Sequence, residues 1–315
     1  MRVLLITQGI SRLVEPLFNS PHEVIGVVES MPRDYSGMSS QRPLFRLLSL
    51  VYKLFTPAAM DLKAYCQARN TPYNYLCKGR DAEVERWVAH LNPDLIVVFS
   101  MSQLLKGSLL WLPKLGVINM HPSRLPNYRG PNPEFWQYHD MELNPGVTVH
   151  YLDSGEDTGD IVAQQQVTIA LGEKSPAVLD KLIGKVGVPL LLDTLNAIER
   201  GEATRTRQAA SPTPRARNLR ADEHGSVIDW AHWPIERVWH VLRGTELWLN
   251  AIAQPTGWYT GHRWCVEEFL KIEHSDKVGS LTRFQGRHCV AAQGGYIFLS
   301  RTFSLKRLIV GILQK

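Results

Sequence analysis

Two short segments carry residue types able to do chemistry together. The first is "NMHPSRLPNYRG" (119–130), in which Asn119 and His121 follow the apolar run Gly116-Val117-Ile118. If that strand continues past residue 118, side chains two apart share a face, so the carboxamide and the imidazole enter the same space. The second is "LDSGEDTGD" (152–160), a turn-rich loop with carboxylates at Asp153, Glu156, Asp157 and Asp160. An amide that donates to a developing oxyanion, an imidazole that moves a proton near neutral pH, and a carboxylate that steadies the imidazolium suit acyl transfer to an amine. A directly attacking amine needs no Ser or Cys nucleophile, and no Gly-x-Ser-x-Gly elbow occurs in the chain. Each segment alone also reads as a strand-end cap or a solvated turn. As a calcium loop, the second lacks the regular oxygen spacing and the closing Glu.

The flanking sequence has to place these groups. "RVLLIT" (2–7), "EVIGVVE" (23–29), "DLIVVFS" (94–100), "GVINM" (116–120) and "GVTVHYLD" (146–153) read as strands. "DAEVERWVAHL" (81–91) and the long stretch 175–201 read as helices. Short β-runs separated by helix-length segments predict an α/β domain with a mostly parallel sheet, and ligands in such sheets bind beyond the carboxyl ends of the strands. Both segments lie there. Residues 201–225 are rich in Arg, Ala, Pro and Thr, nearly devoid of large apolar residues, and read as an extended basic linker. Beyond them, a short helix at 233–244 and several Gly-punctuated β-runs suggest a small β-barrel. The expected organisation is a catalytic domain over 1–200, the linker 201–225 and a β domain over 226–315.

Bulk properties narrow the class. The 315 residues are 44% hydrophobic and 21% charged, an ordinary globular balance, and the apolar runs are strand-sized rather than membrane-spanning. The start of the chain lacks the pattern of a secretory signal, and four cysteines without C-x-x-C spacing argue against a zinc site or a redox pair. A cytoplasmic protein without a metal is the expectation. The net charge of +5 and pI of about 9.0 suit an anionic partner such as a phosphorylated small molecule, a folate polyglutamate or RNA. "RPLFRLLSLVYKLF" (42–55) places apolar residues on one helical face, read as a surface helix packed on the sheet, with an interfacial helix as the alternative. The closing "LKRLIVGILQK" reads as a terminal strand or docked tail. These apolar segments and the β domain also offer surfaces for a homodimer.

The run "GVINMHPSRLPNYRGPNP" followed by "GVTVHYLDSGEDTGDIVAQ" closely resembles the 10-formyltetrahydrofolate-dependent formyltransferase family. That family includes methionyl-tRNA formyltransferases and amino-sugar N-formyltransferases, and the chain looks closest in type to the latter. The resemblance implies a Rossmann-like formyltransferase domain and Asn119, His121 and Asp157 as the catalytic residues. It implies 10-formyltetrahydrofolate as formyl donor, its pterin held mainly by backbone groups. Those would come from the loop Met101, Ser102, Gln103, Leu104 and Leu105 and from Leu152, Asp153, Gly155 and Glu156. The absence of G-x-G-x-x-G agrees with folate rather than nicotinamide use. Past the linker, "GSVIDWAHWPIERVWHVLRG" resembles the opening of the C-terminal domain found in some members, implying an OB-like barrel.

Departures from the family pattern bear on the acceptor. The first strand runs into "TQGISRL" where methionyl-tRNA formyltransferases usually carry G-T-P-x-F, and "MPRDYSGMSSQRPLFRL" has few basic residues where a basic, Gly-rich loop is usual. These point to a nucleotide-linked amino sugar. The linker arginines Arg205, Arg207, Arg215, Arg217 and Arg220 are the counter-signal for tRNA. The family's "SLLP" is "SRLP" here, putting Arg124 beside the site, where a guanidinium suits a phosphate or carboxylate. Tyr128, Arg129, Asn132, Glu134 and Trp136 complete the expected acceptor side. Hydrolysis of the formyl donor is the remaining alternative.

Overall fold

The structure is a computed structural model that describes residues 1–32, 61–101, 103–105, 107–173, 176–246, 249–256 and 262–303. The segments 42–55 and 305–315, and Ser102 of the expected folate loop, lie outside the described residues. The chain divides into two compact units. The first comprises 1–121, 147–165 and 184–210, and the second comprises 122–146, 166–183 and 211–315.

In the first unit seven strands form one sheet: β1 (Arg2–Thr7), β2 (Glu23–Ser30), β3 (Tyr73–Leu76), β4 (Leu95–Phe99), β5 (Val117–His121), β6 (Gly146–Tyr151) and β7 (Ile161–Gln166). Their order is β3-β2-β1-β4-β5-β6-β7. The pairings β1–β2, β2–β3, β1–β4 and β4–β5 are parallel, and β5–β6 is antiparallel. This is the mostly parallel sheet expected from the alternating pattern, with the Rossmann-like character that the resemblance implied. Val3, Leu4, Leu5, Ile6, Leu95, Ile96 and Val97 are fully buried, as strands covered on both faces require. The chain winds outward through β2 and β3, then returns to place β4 on the other side of β1. That reversal opens a crevice at the carboxyl ends of β1 and β4.

The helices are α1 (Val14–Phe18), α2 (Leu62–Gln67), α3 (Asp81–Leu91), α4 (Pro133–His139), α5 (Pro176–Glu199) and α6 (Ile235–Thr245). Helix α3 buries Val84 and Val88 and ends at Asn92 in the left-handed conformation, φ 49°. On α5, a Cβ at Gly187 would sit 2.8 Å from Met120 Sδ and 3.0 Å from Val147 Cγ2. The bare glycine therefore lets the helix press onto the apolar face of β5 and β6. Strands β3 and β7 were not read from the sequence. The first is a four-residue strand with only Leu76 buried, and the second, "IVAQQQ", is half exposed and polar.

The second unit is built on a four-stranded antiparallel sheet, β8 (His262–Lys271), β9 (Leu281–Phe284), β10 (Arg287–Ala292) and β11 (Gly295–Phe303), in the order β8-β11-β10-β9. Helix α6 packs Ile235, Val238, Val241 and Leu242 into one core with Val266, Val290, Ile297 and Leu299. Among the described residues the C-terminal β structure is this antiparallel sheet, part of the β domain for which the sequence suggested an OB-like barrel.

A buried histidine ties this unit together and makes it acid-sensitive. His240 on α6 is fully buried, stacks on Tyr138 of α4 at 4.9 Å, and accepts the Gly172 N–H at Nδ1, 2.9 Å away. Its Nε2 has no partner among the described residues. Desolvation lowers its pKa from 6.5 to about 4, so the folded protein holds it neutral. Because the folded pKa is depressed, this contribution to stability is complete above pH 6.5 and is lost as the pH falls toward 4. The loss amounts to at most about 3 kcal/mol. Urea melts at pH 7.5 and pH 4.5, followed by tryptophan fluorescence, should show a shallower pH dependence in His240→Gln than in the parent. Equal pH dependence would rule His240 out as the source.

The 201–225 segment, read as an extended basic linker, is docked by backbone hydrogen bonds along its length. In the first unit Thr206 and Ile161 exchange two backbone hydrogen bonds, each 2.8 Å. In the second, the Ala216 N–H donates to Arg129 O at 2.8 Å and the Trp136 indole donates to Arg217 O at 2.7 Å. A Cβ at Gly130, φ 103°, would lie 2.5 Å from Ala216 O. Backbone polar groups dock this segment although it has few apolar side chains to bury.

Candidate active site

The antiparallel register of β5 and β6 sets Asn119 opposite His150 and His121 opposite Thr148. Directly opposed residues share a face, so one polar patch forms at the ends of two adjacent strands. The alternate residues Ile118, Met120, Val147 and Val149 are buried. His121 is the last residue of β5 and is 4% exposed. The expectation that the strand would run on to residue 121 and bring Asn119 and His121 onto one face is met.

The loop after β6 supplies the carboxylate. Asp157 adopts φ 54°, a left-handed conformation uncommon for a non-glycine residue. Its Oδ2 lies 3.6 Å from His121 Nδ1, and its Oδ1 lies 3.6 Å from His150 Nε2. Of the four carboxylates weighed in this loop, Asp157 is the one with ion-pair geometry to both imidazoles. Asp153 builds the loop instead, since its Oδ1 accepts the Gly155 N–H at 2.9 Å and the Thr158 hydroxyl at 2.6 Å. Gly159 is required for space, because a Cβ there would sit 2.1 Å from Tyr151 O.

His150 is the member the sequence reading missed. It is fully buried, with Nδ1 2.8 Å from Tyr151 O and Nε2 3.2 Å from Asn119 Nδ2. A carbonyl oxygen only accepts, so Nδ1 carries a proton, and in the tautomer with that single proton Nε2 accepts from the amide. This fixes which end of the Asn119 amide is nitrogen. The available signal was cross-strand register: in "GVTVHYLD" the His falls on the polar face, and only the pairing of β6 with β5 puts it opposite Asn119.

The other expected residues fall into two groups. In the first unit, Met101 and Leu152 are half-buried against the apolar cluster that contains Leu105, while Leu104 is 50% exposed. Gln103 donates to Leu76 O at 3.2 Å, pinning the loop after β4 to the end of β3. Two backbone donors of the 152–156 stretch are already used, Leu152 N–H by Val117 O at 2.8 Å and Gly155 N–H by Asp153. Glu156 is half-buried in the same loop. The residues from 124 to 136 belong to the second unit. Arg124 is exposed and donates to Gln166 Oε1 at 2.9 Å. Tyr128 is 6% exposed, and its backbone N–H donates to Thr213 Oγ1 at 2.7 Å. Arg129 is held through its carbonyl as described above. Asn132 caps α4 at φ 58°, Glu134 follows in the first turn with its carboxyl pushed up by burial, and Trp136 packs beneath Arg217. Among the described residues no group of three His, Cys, Asp or Glu side chains is placed to hold a metal ion, and no helix is long and apolar enough to cross a membrane.

A Rossmann-like sheet with an Asn-x-His strand end facing an Asp loop defines a class that comparison with known proteins identifies. The formyl transferase family profile matches residues 60–194. The chain is 34% identical over 238 residues to the methionyl-tRNA formyltransferase of Alkaliphilus oremlandii, spanning 76% of this chain and 70% of that protein. It is 34% identical over 264 residues to that of Halothermothrix orenii, spanning 84% and 78%. Other relatives of the same description are spanned over 59–62% of their length. Among solved structures, an N-formyltransferase from Helicobacter canadensis in complex with folinic acid and dTDP-3-aminofucose shares the fold. Its TM-score is 0.62 at 15% identity, with 96% of this chain and 99% of that one covered. The chain belongs to the formyl transferase family.

It is therefore an enzyme of folate-dependent one-carbon transfer, with 10-formyltetrahydrofolate as the family's formyl donor. The residues present fit that donor. Met101 and Leu152 are half-buried apolar side chains packed on the cluster beneath the carboxyl ends of β4 and β1, and would give a flat pterin apolar cover without burying unpaired charge. Asn119 offers an amide donor suited to a formyl oxygen.

Proposed function

We propose that the protein transfers the formyl group of 10-formyltetrahydrofolate to the primary amine of a small molecule, a nucleotide-linked amino sugar. The observation that carries formyl transfer is the convergence of Asn119, His121 and Asp157, with His150 behind them, in one patch. The bound donor supplies an activated formyl carbon. Asn119 donates an amide N–H to the formyl oxygen as negative charge builds there. His121 takes the proton that the amine loses on forming the new C–N bond, and returns it to the folate nitrogen whose bond to the formyl carbon breaks. Asp157 holds the imidazole and stabilises its charged form, while His150 orients Asn119.

The small-molecule acceptor is supported by how the basic segment is used. Arg217 makes two 2.8 Å bonds to Glu223, and Arg220 pairs with Asp222 at 3.2 and 3.3 Å. The Arg205 guanidinium lies 3.6 Å above the Tyr151 ring. Three of the five arginines that would track a phosphate backbone are thus engaged by protein groups. The full-length likeness to a sugar-formylating fold agrees with this. A second reading, formylation of methionyl-tRNA, is favoured by the 34% identity to enzymes of that name.

The deciding assay follows tetrahydrofolate release with 3-amino and 4-amino dideoxysugar nucleotides, with methionyl-tRNA, and with no acceptor. Turnover with an amino-sugar nucleotide is the expected result. Turnover with charged tRNA alone would replace the proposed acceptor, and release without any acceptor would identify a hydrolase.

A further inference from the structure

The segment that leaves α5 grips the loop carrying Asp157, and all the residues involved belong to the first unit. Thr206 exchanges two backbone hydrogen bonds with Ile161, Arg205 covers the Tyr151 ring, and Gln208 reaches the loop itself. The Gln208 side-chain amide donates to Asp157 O at 3.0 Å and to Gly159 O at 2.6 Å. One carboxamide nitrogen carries two hydrogens, so a single side chain satisfies both carbonyls. These are the carbonyls of the left-handed residue Asp157 and of the glycine packed on Tyr151. A non-glycine residue in that backbone region persists only where its surroundings hold it.

We propose that Gln208 is a positioning residue for formyl transfer, a clamp that holds the Asp157 carboxylate between His121 and His150. This rests on the reading of Asp157 given above. Glutamine is the residue type the contact needs. A glutamate of the same size offers no donor to either carbonyl, and an alanine does not reach them. Without the clamp the carboxylate drifts from His121 and stabilises the imidazolium less, so the acid limb of the pH–rate profile moves to lower pH.

The test uses Gln208→Glu and Gln208→Ala in the full chain, with two readouts. Hydrogen exchange of the free protein reads the amides of residues 154–161, independent of any acceptor. Each variant is expected to speed their exchange about tenfold, the effect of losing roughly one to two net hydrogen bonds, while the amides of β1 and β4 keep the parent's protection. With an acceptor that turns over, or with donor hydrolysis if none does, kcat should fall about 10- to 100-fold, with the donor KM within about threefold. The acid limb should move to lower pH. Unchanged exchange in Gln208→Glu would overturn the clamp. Faster exchange with parental kcat and an unmoved pH profile would overturn its role in positioning Asp157. If the parent shows no folate turnover at all, the proposed function fails, whereas the exchange experiment still judges the clamp separately.

Discussion

Replacing His121 by alanine is expected to lower kcat by about 10²- to 10⁴-fold, the usual contribution of a positioned acid–base group. The donor KM should change little. His121 ends β5 with its ring buried and Nδ1 directed at Asp157 Oδ2, 3.6 Å away. In the proposed mechanism Nε2, the ring nitrogen away from that carboxylate, exchanges the proton between amine and folate nitrogen. The sheet should survive the change, because His121 is paired with Thr148 of β6 through the backbone ladder, which alanine preserves. Circular dichroism and tetrahydrofolate binding, measured beside single-turnover formyl transfer, separate loss of chemistry from loss of fold. Near-parental kcat in a folded variant would remove His121 from the mechanism.

Asn119→Ala should be nearly as severe, about 10²- to 10³-fold in kcat, because it deletes the donor aimed at the forming oxyanion. The structure adds a constraint that a lone asparagine would not have. His150 accepts from Asn119 Nδ2 through Nε2, with its own Nδ1–H committed to Tyr151 O. The amide therefore cannot flip without setting its carbonyl against a lone pair. If His150 acts through that amide and not through its 3.6 Å contact with Asp157, His150→Phe should cost less than Asn119→Ala, and the double variant should cost no more than Asn119→Ala alone. Such non-additivity is the mark of two residues serving one interaction. Fully additive losses in the double-mutant cycle would mean that His150 acts on the reaction by another route.

Much of the first unit was legible in the chain because burial on both faces leaves a plain mark. The runs at 2–7, 23–29 and 94–100 are β1, β2 and β4 to within a residue at either end. "DAEVERWVAHL" is α3 from end to end. Strands β3 and β7 were not legible, since an outer strand of four residues or one ending in three glutamines carries no continuous apolar signal. The docked state of residues 201–225 escaped for a related reason. Many of its contacts are made by backbone N–H and C=O groups, joined by the side chains of Arg205, Gln208 and Thr213, and backbone hydrogen bonding leaves no trace in side-chain composition.

Residue type and local spacing by themselves determined the sheet class and the side-by-side projection of Asn119 and His121, and the resemblance of the two motifs pointed to the family. Those follow from the two-residue period of a strand and from functional groups written into the chain. The tertiary structure alone decided which of four neighbouring carboxylates meets the imidazoles, that His150 stands behind Asn119, and that Gln208 reaches back to the Asp157 loop. Each of these depends on register across strands or on a contact between residues 31 to 51 positions apart. Such contacts are set by how the elements pack, and no local pattern encodes them.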